Sequence, residues 1–212
     1  MAMGFSFLWL QNMNLFPIFL KLDGRGCLVV GAGTVAQGKI RGLLDAGALV
    51  KVVAPKAVFP VQEWAREGAI SWAPRAFEPR DLDRVSIVVA ATSSPQLNAE
   101  ILREARLRNV LSNAVDDPEN CDFYYPAVVK RGDLQIAIST GGRSPALAQR
   151  LRENLEEQFG PEYASWVAEL GEAREQLTAA VRDREARKKL LHQLASREAF
   201  NHRKSAGRGR SQ

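Results

Sequence analysis

A glycine-rich turn is the feature of this sequence whose residue types and spacing most directly suggest chemistry. Gly31, Gly33 and Ala36 form a G-x-G-x-x-A pattern between an apolar run at 27–30 and a helix-like segment at 37–47. In this order, backbone N–H groups and a helix N-terminus can hold the pyrophosphate of a dinucleotide. Similar turns occur in α/β proteins that bind nothing, so the pattern alone leaves a purely structural turn open.

A carboxylate supplies the second chemical candidate. Asp116 follows the last predicted strand of the first half, and ligands of open α/β sheets bind beyond the carboxyl ends of the strands. Both histidines, His192 and His202, lie far along the chain, so Asp116 is the natural general base there. The alternative is an aspartate that caps the turn at Pro118, a role that suits Asp117 better because it directly precedes the proline.

Further candidates for contacts with a dinucleotide follow the predicted strands. They are Ala32, Thr34, Val35, Pro55, Lys56 and Thr92. An acidic residue about twenty positions after the glycines usually binds the ribose hydroxyls of NAD, but the second strand ends with Ala54. Since Lys56 could instead bind a 2′-phosphate, NAD is expected and NADP stays open.

An anion could bind before a later helix. The segment that precedes Pro145 offers hydroxyls, backbone N–H groups, a guanidinium and a helix N-terminus, from Thr140, Gly141, Gly142, Arg143 and Ser144. Carboxylates or phosphates would be stabilised there, although a flexible helix cap is the simpler interpretation. Neither a nucleophile motif nor a clustered set of metal ligands is evident, so no metal site is predicted.

Strands and helices alternate along the part of the chain that carries these residues. Apolar runs predict strands at 28–30, 49–54, 69–72, 85–91 and 110–115, with helical segments at 37–47, 61–67 and 96–108. This alternation predicts an α/β fold of Rossmann type, with a doubly wound parallel sheet and right-handed crossovers.

The pattern changes after Pro118. Residues 127–129 and 134–139 predict a hairpin that turns at Gly132 and Asp133, followed by a helix from Pro145 to Phe159 and a helical C-terminal region. The expected organisation is a Rossmann domain at 15–122, a hairpin-plus-helix region at 123–159, a helical region at 160–202 and a disordered basic tail at 203–212.

Charge and composition exclude several classes of protein. The net charge is +5, but residues 182–212 hold ten Lys or Arg against three Asp or Glu, so the remainder is slightly negative. The basic tail at 203–212 lacks aromatic residues, and nucleic acid is therefore not expected as a partner. Two cysteines give no disulfide framework, and Cys27 is predicted to be a core residue.

The N-terminal residues are apolar but resemble neither a signal peptide nor a membrane span, because polar residues interrupt them and no basic residue precedes Lys21. Residues 1–14 are expected to be a non-native or disordered extension, with Met13 as an alternative start. No membrane contact is predicted, and a cytoplasmic location is expected.

Taken together, several ordered motifs resemble the N-terminal module of siroheme synthase, the precorrin-2 dehydrogenase and sirohydrochlorin ferrochelatase family. The likeness runs from about Leu15 to Phe159. The matching stretches are 16–20, 31–36 with Lys39, 90–92, 113–116, 123–126 and 139–145. Departures are Gly38, where a basic residue is common, and Thr140, where some members have serine.

The resemblance implies oxidation of precorrin-2 to sirohydrochlorin with NAD⁺, and in some members Fe²⁺ insertion to give siroheme. It implies Asp116 as the catalytic residue, the turn residues with Pro55 and Lys56 as cofactor contacts, and Asn113 with the 140–144 segment as substrate contacts. The family also lacks the acidic ribose residue. Its hairpin region dimerises, so a homodimer is expected.

Two alternatives remain open at this point. One is a dehydrogenase that leaves iron insertion to a separate chelatase. The other is a nucleotide-sensing regulatory domain, although such domains usually have an acidic residue at the end of the second strand.

Overall fold

The computed structural model describes residues 15–115 and 117–201, which divide into two compact units between Tyr125 and Pro126. The predicted extension at 1–14, the catalytic candidate Asp116 and the predicted tail at 203–212 lie outside the described residues. The first unit continues slightly beyond residue 122, because Phe123 packs against its core.

The first unit is a five-stranded parallel sheet with helices on both faces. Its strands lie in the order β3-β2-β1-β4-β5. Along the chain the elements are β1 (Gly26–Val30), α1 (Thr34–Asp45), β2 (Leu49–Val53), α2 (Phe59–Arg66), β3 (Ser71–Ala73), β4 (Ile87–Ala90), α3 (Pro95–Leu107) and β5 (Leu111–Ala114). The Rossmann-type fold predicted from the alternation of strands and helices is confirmed.

Two apolar cores, one on each face of the sheet, hold the first unit together. Successive residues of β1 point to opposite faces, so Cys27 and Val29 pack under α1 and α2, whereas Leu28 and Val30 pack under α3. A strand buried on both faces reads as an unbroken apolar run, which is why β1 and β4 were recognisable. Cys27 is a buried core residue, and burial raises the pKa of its thiol.

A buried carboxylate fixes the connection from β3 to β4. Asp81 lies in a short 3₁₀ helix, Pro79–Leu82, that the sequence did not predict. Its side chain is 1% exposed and accepts hydrogen bonds from Lys51 Nζ at 2.8 Å and from Arg75 at 2.6 and 2.8 Å. The backbone N–H of Glu78 donates a further bond at 2.9 Å. The carboxylate therefore joins β2 to the connection between β3 and β4.

The second unit is a hairpin covered by helices. It contains β6 (Ala127–Arg131), β7 (Leu134–Ile138), α4 (Pro145–Gln158), α5 (Glu162–Ala180) and α6 (Arg184–Leu194). The strands are antiparallel, with Ala127 paired to Ile138, and Gly132 takes a φ of +57° in the predicted turn. Both α4 and α5 pack against the hairpin.

Helix ends in the second unit are held by specific contacts. Arg131 Nε donates to the carbonyl of Phe159 at 2.8 Å, which satisfies a carbonyl just beyond α4. Val181 is extended and ends α5, and the Asp183 side chain accepts from the N–H of Glu185 to start α6. Within residues 15–115 and 117–201, no helix combines the length and apolar character needed to cross a membrane.

Candidate functional site

The turn between β1 and α1 has the geometry that a dinucleotide site requires. Gly31 has a φ of +105°, and its N–H donates to the carbonyl of Val53 at 2.9 Å. A Cβ added at Gly31 would lie 2.2 Å from the carbonyl oxygen of Ala91, so only glycine fits between the ends of β1, β2 and β4. At Gly33, an added Cβ would meet nothing within 4 Å. The chain is therefore tightly packed behind the turn and open in front of it.

The N-terminus of α1 faces this open side without a local anion. Gly33 caps the helix, no side chain bonds to its first-turn N–H groups, and the first turn contains no acidic residue. Thr34 and Val35 are exposed, whereas Ala32 and Ala36 are buried. Unpaired N–H groups and the positive end of the helix dipole stabilise a phosphate at such a position. The residues present therefore fit a dinucleotide pyrophosphate.

The carboxyl end of β2 contributes small and exposed residues. Ala54 is buried, and its carbonyl accepts a hydrogen bond from Trp72 Nε1 at 3.0 Å. Pro55 and Lys56 follow as exposed residues. The strand thus ends without a carboxylate, as the sequence indicated, and the Lys56 ammonium is accessible to a ligand at this edge.

The carboxyl end of β4 leads into α3 through a polar network. Thr92 Oγ1 donates to the side-chain oxygen of Asn98 at 2.7 Å, and Asn98 Nδ2 donates to the carbonyl of Thr92 at 3.3 Å. The N–H of Ser94 donates to Thr92 Oγ1 at 3.2 Å. Since these bonds engage the hydroxyl, Thr92 positions the start of α3, and its cofactor contact stays a prediction. The role of Asn98 was missed, because no sequence signal marks a buried asparagine within a helix.

The segment after β5, residues 117–125, returns along that strand and is called the return segment here. The N–H and the hydroxyl of Ser112 donate to one Asp122 oxygen at 2.9 and 2.7 Å, and the N–H of Asp122 donates to the carbonyl of Ser112 at 2.8 Å. Asn113 Nδ2 donates to the carbonyl of Phe123 at 2.8 Å. Because β5 is an edge strand, these bonds satisfy groups that would otherwise be unpaired and fix the end of the strand.

Asp117, the second of two neighbouring aspartates that follow β5 in the sequence, holds a turn. Asp117 precedes a 3₁₀ turn, and its two carboxylate oxygens lie 2.9 and 3.1 Å from Asn120 Nδ2, which is the turn role that the sequence favoured. Cys121 Sγ donates to the carbonyl of Asp117 at 3.0 Å, and burial raises the pKa of this thiol. Asp116 lies outside the described residues, so its catalytic role stays a prediction.

A lysine and a tyrosine connect α1 to the return segment. Lys39 Nζ lies 3.4 Å from the centre of the Tyr125 ring, and Tyr125 packs edge-on against Phe123 at 5.6 Å between ring centres. Burial lowers the pKa of the Lys39 ammonium, and a smaller effect of Cys121 acts in the opposite direction. Burial also raises the pKa of Tyr125 to about 12. Perturbed groups of this kind are enriched at functional sites.

The predicted anion-binding segment belongs to the second unit. Gly141 and Gly142 have φ values of +61° and +78°. The Thr140 hydroxyl accepts from the N–H of Ser144 at 3.1 Å, and the Ser144 hydroxyl accepts from the N–H of Leu147 at 3.3 Å. The Ser144 hydroxyl therefore caps α4 and the Thr140 hydroxyl holds the loop before it, while the substrate contacts predicted for both stay predictions.

Part of this segment lies at the protein surface. Gly142 and Arg143 are exposed, and binding of a substrate at the segment stays a prediction. In the part of the chain that the structure describes, no three His, Cys, Asp or Glu side chains come together as a metal site.

Comparisons with known proteins place both units. Residues 18–127 match the family described as "Putative NAD(P)-binding", and residues 131–158 match "Sirohaem biosynthesis protein central". Siroheme synthase 3 of Aeromonas hydrophila is 40% identical over 167 residues, which is 79% of this chain and 36% of that protein. The siroheme synthase of Nitrosococcus oceani is 44% identical over 144 residues, or 68% of this chain and 31% of that protein.

The chain spans about a third of the length of these curated relatives. A solved structure titled "SirC, precorrin-2 dehydrogenase" covers 87% of this chain and 91% of its own, with a TM-score of 0.74 and 29% identity. The resemblance stated from the sequence is thus confirmed, and the chain belongs to the family of the siroheme synthase N-terminal module, with an NAD(P)-binding part followed by the sirohaem-biosynthesis central segment.

Proposed function

We propose that this chain oxidises precorrin-2 to sirohydrochlorin, with NAD⁺ as the hydride acceptor. The observation that carries the proposal is the open Gly33 at the N-terminus of α1, which no side chain caps, in a chain that SirC covers over most of its length. SirC is titled a precorrin-2 dehydrogenase, which supports the same reaction here. The siroheme synthase relatives support the same substrate class.

The reaction removes two hydrogens from the substrate. Bound NAD⁺ would supply the acceptor for a hydride, and a general base must take the accompanying proton. We assign that proton to the carboxylate of Asp116, which follows the last residue of β5 by two positions in the sequence. The return segment holds β5 in place through Ser112 and Asp122, so the strand that leads to Asp116 is fixed.

Purified protein is expected to convert precorrin-2 to sirohydrochlorin faster with NAD⁺ than with NADP⁺, as followed by absorbance. A second assay adds Fe²⁺ as a substrate and tests whether the protein inserts it into sirohydrochlorin. The similarity to siroheme synthases supports this second activity. If the protein binds NAD⁺ but leaves precorrin-2 unchanged, a nucleotide-sensing domain becomes the better proposal.

Asp116→Asn, in the same assay, is expected to lower kcat about 100-fold, because general-base catalysis contributes at least that much. The matched control is Asp117→Asn, since asparagine can still accept the hydrogen bond from Asn120 and hold the turn. Equal turnover by a folded Asp116→Asn protein and the wild type would remove the catalytic assignment.

A homodimer formed through the second unit belongs to this proposal. Leu147 and Leu151 lie one turn apart on α4 and are 50% and 39% exposed, and Val128 on β6 is 38% exposed. Exposed apolar residues at this spacing are typical of a helix face that packs on a partner.

The double variant Leu147→Glu with Leu151→Glu is expected to be monomeric in sedimentation experiments. Gln149→Glu adds charge on the same helix and should leave the dimer intact, and a dimer that survives the double variant would place the interface elsewhere.

A further inference from the structure

Lys39 is a half-buried cation without an acidic partner among the described residues. Its Nζ lies over the Tyr125 ring at 3.4 Å. None of the hydrogen bonds or ion pairs found within 15–115 and 117–201 involves this ammonium. A ring face attracts a cation but does not accept strong hydrogen bonds, and the ammonium carries three donors. Within the part of the chain that the structure describes, the arrangement therefore holds a positive charge in place and supplies no acceptor for its three donors.

The position of Lys39 connects it to the candidate site. Val35, one turn earlier on the same face of α1, is 55% exposed and adjoins the open cradle at Gly33. On the other side, the ammonium contacts the ring of Tyr125, the last residue of the return segment. The ammonium thus lies between the helix that begins at the cradle and the segment that follows β5.

We propose that Lys39 binds a carboxylate of the tetrapyrrole substrate and that Tyr125 positions its ammonium for that contact. This inference rests on the proposed function, which supplies a ligand with eight carboxylates. Lys39 follows Gly33 by six residues, or about 9 Å along the helix axis, so the substrate is favoured over the cofactor pyrophosphate at the helix start. A carboxylate would supply the acceptors that the ring does not, in a partly desolvated place where charged hydrogen bonds are strong.

The test measures tetrapyrrole binding separately from turnover. Uroporphyrin, a porphyrin with eight carboxylates, is titrated without any nicotinamide cofactor and followed by fluorescence. Lys39→Met is expected to raise its Kd about tenfold, the loss of one charge-assisted hydrogen bond. Lys39→Arg should stay within about threefold of wild type, since it keeps the charge and can stack on the ring. Lys188→Met, which removes an exposed lysine from α6, is the matched control.

Tyrosine variants separate positioning from direct contact. Tyr125→Phe keeps the ring face and should bind uroporphyrin as the wild type does, whereas Tyr125→Leu removes the ring and should weaken binding by less than Lys39→Met. With precorrin-2, Lys39→Met is expected to raise KM about tenfold and to leave kcat within about threefold, because the contact is made in both ground and transition states.

Several outcomes would overturn the inference. Unchanged uroporphyrin binding by folded Lys39→Met would do so, as would a wild type that binds no uroporphyrin. A selective rise in the Kd of NAD⁺ would assign the ammonium to the cofactor instead. If Lys39→Met does not fold, Lys39→Gln removes the charge while it keeps a polar end, and its Kd is judged by the same criterion. The protein could also bind uroporphyrin in a Lys39-dependent way and yet fail to oxidise precorrin-2. That result would support the inference about Lys39 and contradict the proposed reaction.

Discussion

Gly31→Ala is expected to lower the free energy of unfolding by about 4 kcal/mol, since it combines backbone strain with overpacking. The φ of +105° is a conformation that residues with a Cβ rarely adopt. The new Cβ would also lie 2.2 Å from the carbonyl oxygen of Ala91 and 2.7 Å from its carbonyl carbon. These are backbone atoms at the end of β4, so relief requires β1 and β4 to separate at the centre of the sheet.

Gly33→Ala is the matched control, two residues along the same turn. Gly33 has a φ of −84° and a ψ of −173°, which alanine adopts freely, and an added Cβ meets no atom within 4 Å. Its stability should fall by about 1 kcal/mol at most, because alanine is a poorer N-cap than glycine. The methyl group would, however, occupy the space through which a phosphate approaches the N–H groups of α1. We expect the Kd for NAD⁺ to rise about tenfold or more.

Urea unfolding and calorimetric titration with NAD⁺ together check this pair. The expected pattern is a stability defect at Gly31 and a binding defect at Gly33. If Gly33→Ala binds NAD⁺ as tightly as the wild type, the pyrophosphate does not lie at this turn. If Gly31→Ala is as stable as the wild type, the end of β4 can move away from the new Cβ at little energetic cost, and the prediction is wrong.

The sheet was predictable because its central strands are buried on both faces. Val29 and Val30, for example, serve different cores, and such strands must be apolar throughout. The turn at Gly31 was predictable for a related reason, since its backbone conformation is almost restricted to glycine. In both places, the structure allows so few residue types at a position that the sequence alone predicts the local structure.

Polar contacts between distant residues were not predictable. Ser112 and Asp122 bond across ten residues, and Asn98 bonds to Thr92 from within a helix. Serine, aspartate and asparagine occur in many loops, and only the folded chain shows which pairs meet. The hydroxyl of Ser144 also caps α4, a role that the sequence alone does not separate from the predicted substrate contact, which stays a prediction. Such side chains form hydrogen bonds within the chain, and the sequence does not show which of them also contact a ligand.

Asp81→Asn is expected to destabilise the first unit by about 3 kcal/mol. Removing one partner from a buried ion pair typically costs 3–5 kcal/mol, roughly, because the remaining charge is left uncompensated. Here Lys51 and Arg75 are 38% and 36% exposed, so water can partly solvate them, and the lower end of that range applies. Asparagine would also turn an amide N–H₂ group toward one of two cations. The matched control is Asp83→Asn, which changes an exposed residue just beyond the same turn.

The pH dependence of stability provides an independent check on Asp81. Burial by itself would raise the pKa of this carboxyl, but hydrogen bonds from Arg75, from Lys51 and from the N–H of Glu78 hold it well below its ordinary range. A group whose pKa is lower in the folded state stabilises the fold above its unfolded pKa, here about 4, and that contribution fades as the pH falls further. Wild-type stability should therefore decline below about pH 4 more steeply than that of Asp81→Asn, which has no proton to take up at this position. Parallel slopes for the two proteins in urea unfolding between pH 2 and pH 5, approximately, would show that this carboxylate is not a source of acid lability.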